Sequence, residues 1–348
     1  MKNTEKNKIR KKDIRISFAS FVAKSNRDVL LAMLTEEFSV IIDEYEYDYY
    51  FVDDVIYYSL ENMQEVLNAK KTSVKIMFAL EAVFPDLNIF DYAISFINQF
   101  DCQDRVLHLP YLELLNKMGY AMLISNLDCD KNVDINKEKF CNFIYGNSRA
   151  HCMRETLFYK ISQYKTVDSL GKFLNNVPIR NTREDVDWLY KSIDLKRPYK
   201  FSIAAENATF PGYTSEKLIT SMLAKTIPIY WGNPDVGMEY NQQAFINVMD
   251  YSSIDDVIDV IRQLDEDDEK YKNMISRPWR TENQKKKFQE NVSRFYQMFY
   301  NIFYIDIKKA YRRPEGCWPD YMYPDFFKTF IQSQEKRSLI NRLKRLMW

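Results

Sequence analysis

The chain has 348 residues, 46% of them hydrophobic and 15% aromatic, which is enough to bury two substantial cores and excludes a disordered polymer. Its 49 basic and 49 acidic residues cancel, so no global field favours nucleic acid. Seven glycines leave no place for a G-x-G-x-x-G fingerprint or a Walker A loop, and two histidines, His108 and His151, argue against a multi-histidine zinc site.

From the N-terminus, residues 14–22 and 40–42 read as strands on either side of a helix over 28–37, and residues 49–56 as a third strand. The apolar run 74–80 predicts a buried strand ending at Glu81, and 92–96 a further one. That alternation predicts a first α/β domain over residues 1–132. Residues 111–122 read as a helix, and the charged stretch 128–139, which lacks a hydrophobic period, as a linker. A second α/β domain over 133–305 opens with a strand at 140–145, then Gly146, Asn147 and Ser148, then a helix through Met153, Leu157, Phe158 and Ile161. Asn147 or Ser148 is placed to cap that helix, whose start would accept an anion, and Arg154 falls about two turns inside it. Further helices are predicted over 254–264, 267–275 and 285–302, followed by a helical tail over 306–348.

The stretch 200–234, KFSIAAENATFPGYTSEKLITSMLAKTIPIYWGNP, is the most informative. Residues 201–205 make a short apolar strand, and 206–212 carry the Pro and Gly of a loop. A helix then starts near Thr214 or Ser215 and runs through Leu218, Ile219, Met222 and Leu223 at helical spacing. A strand of β-branched and aromatic residues follows at 226–231, closed by a turn at 232–234. In such βαβ units anions bind at the carboxyl ends of the strands, against the first turn of the helix. Lys217 lies in that turn, so its ammonium can reach a phosphate, and Glu216 beside it suits ribose or sugar hydroxyls.

With Glu206 and Asn207, then Tyr213, Thr214, Ser215, Glu216 and Lys217, then Pro228 and Gly232, this stretch resembles the donor-binding motif of the α1,3/4-fucosyltransferases. That family carries Glu-Asn, Tyr-x-Thr-Glu-Lys and Pro-x-Tyr/Val-x-Gly in the same order; here Ser215 replaces the Thr before the Glu-Lys pair. The similarity continues through Phe245, Ile246, Asn247 and Val248, through Asp250 and Tyr251, and on to Tyr271 and Trp279. Upstream it reappears at Glu81, at 84–96, and at Asp104, Arg105, Leu109 and Pro110.

The resemblance implies an α/β protein of two Rossmann-like domains of the GT-B type, with the donor bound by the second and the acceptor by the first. It implies inverting transfer of L-fucose from GDP-fucose to O3 or O4 of an oligosaccharide acceptor containing N-acetylglucosamine or glucose, in a surface polysaccharide or lipopolysaccharide. Glu81 is then the catalytic base, at the rim of an inter-domain cleft where burial would raise its pKa. Arg154 and Lys217 become the cations on the diphosphate, Asn207 and Tyr213 add hydrogen bonds, Glu216 takes ribose or fucose hydroxyls, and Glu206 orients the loop. Two fixed cations can replace a metal, so no cofactor is expected and a divalent ion would at most stimulate.

Two other readings compete. Asp128, Cys129 and Asp130 form a D-x-D after the apolar stretch 121–127, which would suit a metal-dependent glycosyltransferase using another nucleotide sugar. A protein that binds nucleotide sugars or carbohydrate without turnover is the second. The five cysteines are odd in number and lack C-x-x-C spacing, which favours a reducing compartment. No run of about 18 apolar residues occurs. Animal members of the resembled family carry an N-terminal anchor, so the expectation here is a bacterial, cytoplasmic chain. Residues 335–348 place Leu339, Ile340, Leu343, Leu346 and Met347 on one face with Arg337, Arg342, Lys344 and Arg345 nearby. That composition suits peripheral contact with an anionic membrane, docking on the protein or on a partner being the alternative.

Overall fold

The computed structural model describes residues 11–98, 104–129, 136–179 and 187–313. These fold as two compact α/β units. The first contains β1 (Lys12–Phe18), α1 (Lys24–Glu37), β2 (Phe38–Ile42), β3 (Tyr49–Asp53), α2 (Leu60–Asn68), β4 (Val74–Ala79), β5 (Tyr92–Ser95) and β6 (Val106–His108). All strands are parallel, in the order β2-β1-β3-β4-β5-β6. Every residue of β3, β4 and β5 is buried, which is why they read as continuous apolar runs rather than as alternation.

The chain leaves β1 for β2 on one side and returns to β3 on the other, so strand order switches between β1 and β3. Asp53 closes that point: its Oδ2 accepts the Ala23 N–H at 3.2 Å and the Asn26 side-chain amide at 3.0 Å. Its Oδ1 accepts the Val55 N–H at 3.2 Å and turns the chain into a 3₁₀ turn, Asp54–Tyr58. The strand expected over 49–56 therefore ends at Asp53, and the one expected over 14–22 at Phe18.

The second unit contains residues 96–98 and 109–293. It opens with α3 (Tyr111–Leu115), a π turn (Asn116–Tyr120) and α4 (Ala121–Cys129). Gly119, at φ 92°, breaks what the sequence read as one helix. Leu112 and Leu115 join the same core as Phe140 and Phe201, so this helical stretch belongs to the second unit although its position before the charged stretch placed it in the first domain. Asp128 and Cys129 end α4 instead of starting a linker, and Asp130 lies outside the described residues.

Next come β7 (Lys139–Phe143), α5 (Met153–Tyr164), β8 (Val167–Ser169), α6 (Trp188–Lys196), β9 (Tyr199–Ala205), α7 (Glu216–Leu223), β10 (Ile227–Trp231) and β11 (Ile246–Asn247). They are followed by α8 (Ile254–Glu266), α9 (Asp268–Ile275) and α10 (Glu282–Tyr304). The sheet is again parallel, in the order β11-β10-β9-β7-β8. Ser253 starts α8 with a capping box to Asp256, and Val257, Ile258, Ile261 and Leu264 supply its buried stripe. Residues 294–304 of α10 belong to the first unit, where the Phe303 ring lies 5.4 Å from that of Phe38 and 4.7 Å from that of Tyr49. The amphipathic stretch 335–348 lies outside the described residues. Among the described residues no helix is long and apolar enough to cross a membrane.

Candidate active site

In the second sheet β7 leads outward to β8, while β9 returns on its other side and continues to β10 and β11. The order switches between β7 and β9, and ligands of open parallel sheets bind outside the carboxyl ends of the strands at such a point. Arg154 follows β7, while Glu206 and Asn207 follow β9. Tyr213, Glu216 and Lys217 lie at the start of α7, between β9 and β10.

Arg154 is the second residue of α5 and 2% exposed. Its guanidinium stacks on the Tyr145 ring, with Cζ 4.0 Å from the centroid. Nη2 donates to the Ala205 carbonyl at 3.1 Å and to Asn207 Oδ1 at 2.8 Å, and Nη1 to the Asn147 carbonyl at 3.4 Å. Nε is buried and has no partner among the described residues, so a donor remains for an anion. Neither Asn147 nor Ser148 caps α5, contrary to the sequence expectation; the helix begins five residues beyond Ser148, after Cys152. The reason is local. Asn147 Oδ1 accepts the Arg149 N–H at 2.8 Å in a turn of its own, and the His151 N–H is given to the Asn207 carbonyl at 2.8 Å. Arg154 thus lies in the first turn of α5, where its side chain reaches back to the sheet.

Glu206 is fully buried at the end of β9. Its Oε1 accepts the Ser215 N–H at 2.8 Å, its Oε2 accepts the Ser215 hydroxyl at 2.7 Å, and Lys217 Nζ lies 3.1 Å from Oε2. Ser215 occupies the N-cap position of α7 but makes no side-chain cap bond, because its hydroxyl is committed to Glu206 and also accepts from Lys217 at 2.9 Å. The third contact of Lys217, to Glu216 Oε1, is the longest at 3.5 Å and is the one a phosphate oxygen can replace most readily. Burial opposes the charge of Lys217, but the carboxylates of Glu206 and Glu216 outweigh it, so this ammonium holds its proton more firmly than an ordinary lysine.

Glu216 Oε2 accepts the Tyr111 hydroxyl at 3.1 Å, and the buried Tyr213 ring packs 5.9 Å from Phe96. Gly232 allows β10 to end against Glu206: a Cβ there would lie 2.4 Å from Glu206 Cγ. Three supporting residues carried no motif in the sequence. Tyr145 accepts the Ala205 N–H at 2.7 Å and stacks under Arg154. Asn233 accepts the Gly212 N–H at 2.9 Å and donates to Thr214 Oγ1 at 3.0 Å, pinning the loop before α7. Lys196, buried on α6, donates to Thr220 Oγ1 at 2.7 Å and Ser221 Oγ at 3.1 Å, and burial pulls its pKa down to about 7. Tyr145 precedes a Gly-Asn pair and Asn233 follows a Gly, which are the signals that could have marked them.

In the first unit, Glu81 lies two residues beyond β4, at the carboxyl end of a fully buried strand. Its side chain is exposed, where burial was expected; the buried carboxyl at the neighbouring strand end is that of Asp54. Among the described residues, no group of three or more His, Cys, Asp or Glu side chains is arranged to hold a metal ion.

Two α/β units, each with a parallel sheet whose strand order switches, the second with Arg154 and Lys217 beyond the ends of its strands, match the architecture of a GT-B glycosyltransferase. The model of glycosyltransferase family 10 (fucosyltransferase), C-terminal part, matches residues 135–303, and that of the alpha-(1,3)-fucosyltransferase FucT N-terminal domain matches residues 16–115. The chain belongs to this fucosyltransferase family. It is similar to the alpha-(1,3)-fucosyltransferase FucT of Helicobacter pylori, 26% identical over 302 residues that cover 78% of this chain and 60% of that protein. A protein of Acanthamoeba polyphaga mimivirus named as a fucosyltransferase is 38% identical over 146 residues, covering 41% of this chain and 24% of its own. The chain therefore spans less than two thirds of these curated relatives. A crystal structure of an alpha1,3-fucosyltransferase superposes with a TM-score of 0.71 at 22% identity, covering 90% of this chain and 95% of the other. A crystal structure of an alpha1,3-fucosyltransferase with GDP-fucose superposes with a TM-score of 0.69 at 22% identity, covering 89% of this chain and 96% of the other.

Proposed function

We propose that this chain transfers L-fucose from GDP-fucose to O3 or O4 of a glycan containing N-acetylglucosamine or glucose, with inversion at the anomeric carbon and without a required metal. The observation that carries this reading is the cluster of buried Arg154 and Glu206 with the partly buried Lys217 at the switch point of the second sheet. A diphosphate held there would meet the remaining N–H of Arg154, the ammonium of Lys217 and the positive end of α7, which together stabilise the charge of departing GDP. Tyr213 and Asn207 add hydrogen bonds, and Glu216 takes a ribose or fucose hydroxyl. Glu81 receives the proton of the acceptor hydroxyl; that oxygen bonds to the anomeric carbon while the carbon–oxygen bond to the β-phosphate breaks and GDP leaves with its electron pair. The relative crystallised with GDP-fucose supports the choice of donor.

The test is GDP release with lactosamine-type acceptors in the presence of a chelator, with GDP affinity measured alongside. Glu81→Ala is expected to lower kcat by about 10²–10⁴ with GDP affinity unchanged, and Arg154→Ala to weaken GDP binding. Equal loss of GDP affinity in both variants removes Glu81 from the base role. Activity abolished by chelation removes the metal-free mechanism.

A further inference from the structure

The carboxyl ends of β3 and β4 lie side by side: Asp53 pairs with Phe78 across the sheet, and the two chains continue into Asp54 and Glu81. Asp54 is 7% exposed, although it sits at a strand end where a carboxylate would ordinarily reach water. Its Oδ2 is buried without a hydrogen-bond partner among the described residues. Its carboxyl faces the main-chain N–H groups of Glu81 and of Asp54 itself. Asp53 does not share this situation, since both its oxygens accept hydrogen bonds. A buried, incompletely paired carboxyl costs stability.

We propose that Asp54 acts on the reaction through Glu81: when both are ionised, the buried carboxylate of Asp54 strengthens Glu81 as a proton acceptor, so that the two carboxyls work as one base. The physical reason is like-charge coupling. A proton arriving on Glu81 removes the repulsion between two neighbouring carboxylates, which favours its transfer from the acceptor hydroxyl. The titratable groups acting on Asp54 are Glu81, Asp53 and the Tyr58 phenol. Burial first, then Glu81 and Asp53, push the Asp54 carboxyl up to about 7. Asp54 is thus a positioning and tuning residue, and its role rests on Glu81 being the base.

The experiment is the pH dependence of kcat with GDP-fucose and a lactosamine acceptor, for the full chain and for Asp54→Asn, Asp54→Glu and Glu81→Gln, with GDP affinity and circular dichroism as controls. The wild type is expected to gain activity as pH rises, with a midpoint near 7. Asp54→Asn keeps the amide oxygen facing the Glu81 N–H and is expected to lose that midpoint, with kcat on the plateau lowered about tenfold and GDP affinity unchanged. Asp54→Glu, which keeps the charge, retains the rise. An Asp54→Asn profile that matches the wild type overturns the proposal while leaving Glu81 as the base. Should Asp54→Asn fail to fold, an Asp54→Glu profile without the rise overturns it equally. Activity in Glu81→Gln sinks the base assignment itself, and this inference with it.

Discussion

Glu206 and Lys217 show how far a residue's role depends on its partner. The motif presents Lys217 as a cation waiting for phosphate, yet its ammonium already touches Glu206, Ser215 and Glu216. Glu206, read in the sequence as an orienter of the loop, is a fully buried carboxylate whose charge Lys217 compensates. Removing Lys217 therefore does two things at once. Lys217→Met is expected to weaken GDP binding and also to destabilise the fold by about 3–5 kcal/mol, because it strands a buried charge. The double variant Glu206→Gln with Lys217→Met should recover much of that stability in urea unfolding but none of the GDP affinity. A double variant no more stable than the single one would refute the pairing. The candidate residues at motif spacing stood out in the sequence, but Tyr145 and Asn233 did not, because their contribution is a stacked face and a loop hydrogen bond rather than a charge at a fixed spacing.

At the scale of elements, the βαβ passage through β9, α7 and β10 was readable because each part carries its own local signal. An apolar run, a Pro- and Gly-containing loop, helical spacing and a β-branched strand follow one another without ambiguity. The three-residue strands β6 and β8 were not readable, since three residues are too few to display a period. The start of α5 was misplaced for the opposite reason: Asn147 offered a good cap signal, but it serves a turn of its own. Close packing of elements sets the cost of small changes. At Gly232, with φ 156°, a methyl group would lie 2.4 Å from Glu206 Cγ and 3.2 Å from the Tyr230 hydroxyl. Because Glu206 is held by Ser215 and Lys217, Gly232→Ala is expected to lower stability by about 1–3 kcal/mol and to weaken GDP binding, both measurable by GDP-dependent thermal shifts. An unchanged melting temperature would show that this strand end yields easily.

For the whole molecule, stability against pH reports on groups that the core keeps from water. Lys196 is the clearest case: burial lowers its pKa to about 7, only partly offset by Glu216, whereas an unfolded lysine titrates near about 10.4. Between those values the unfolded chain binds more protons than the folded one, so this group makes stability rise with pH from about 7 towards 10 and withdraws that gain as pH falls through 7. The urea midpoint is expected to increase between pH 7 and 9.5, and Lys196→Met to flatten that slope; an identical slope in both proteins would mean that Lys196 stays charged. By itself the sequence determined the alternation of strands and helices, the loop chemistry at the second sheet and the family motif, because periodicity, glycine and proline act on neighbouring residues. Only the tertiary structure decided that residues 111–129 pack with the second unit, that Lys217 is neutralised by Glu206, and that the buried carboxyl beside Glu81 is Asp54. Those outcomes depend on which distant segments exclude water from one another, and charge pairing and burial are properties of that packing, not of any local stretch of chain.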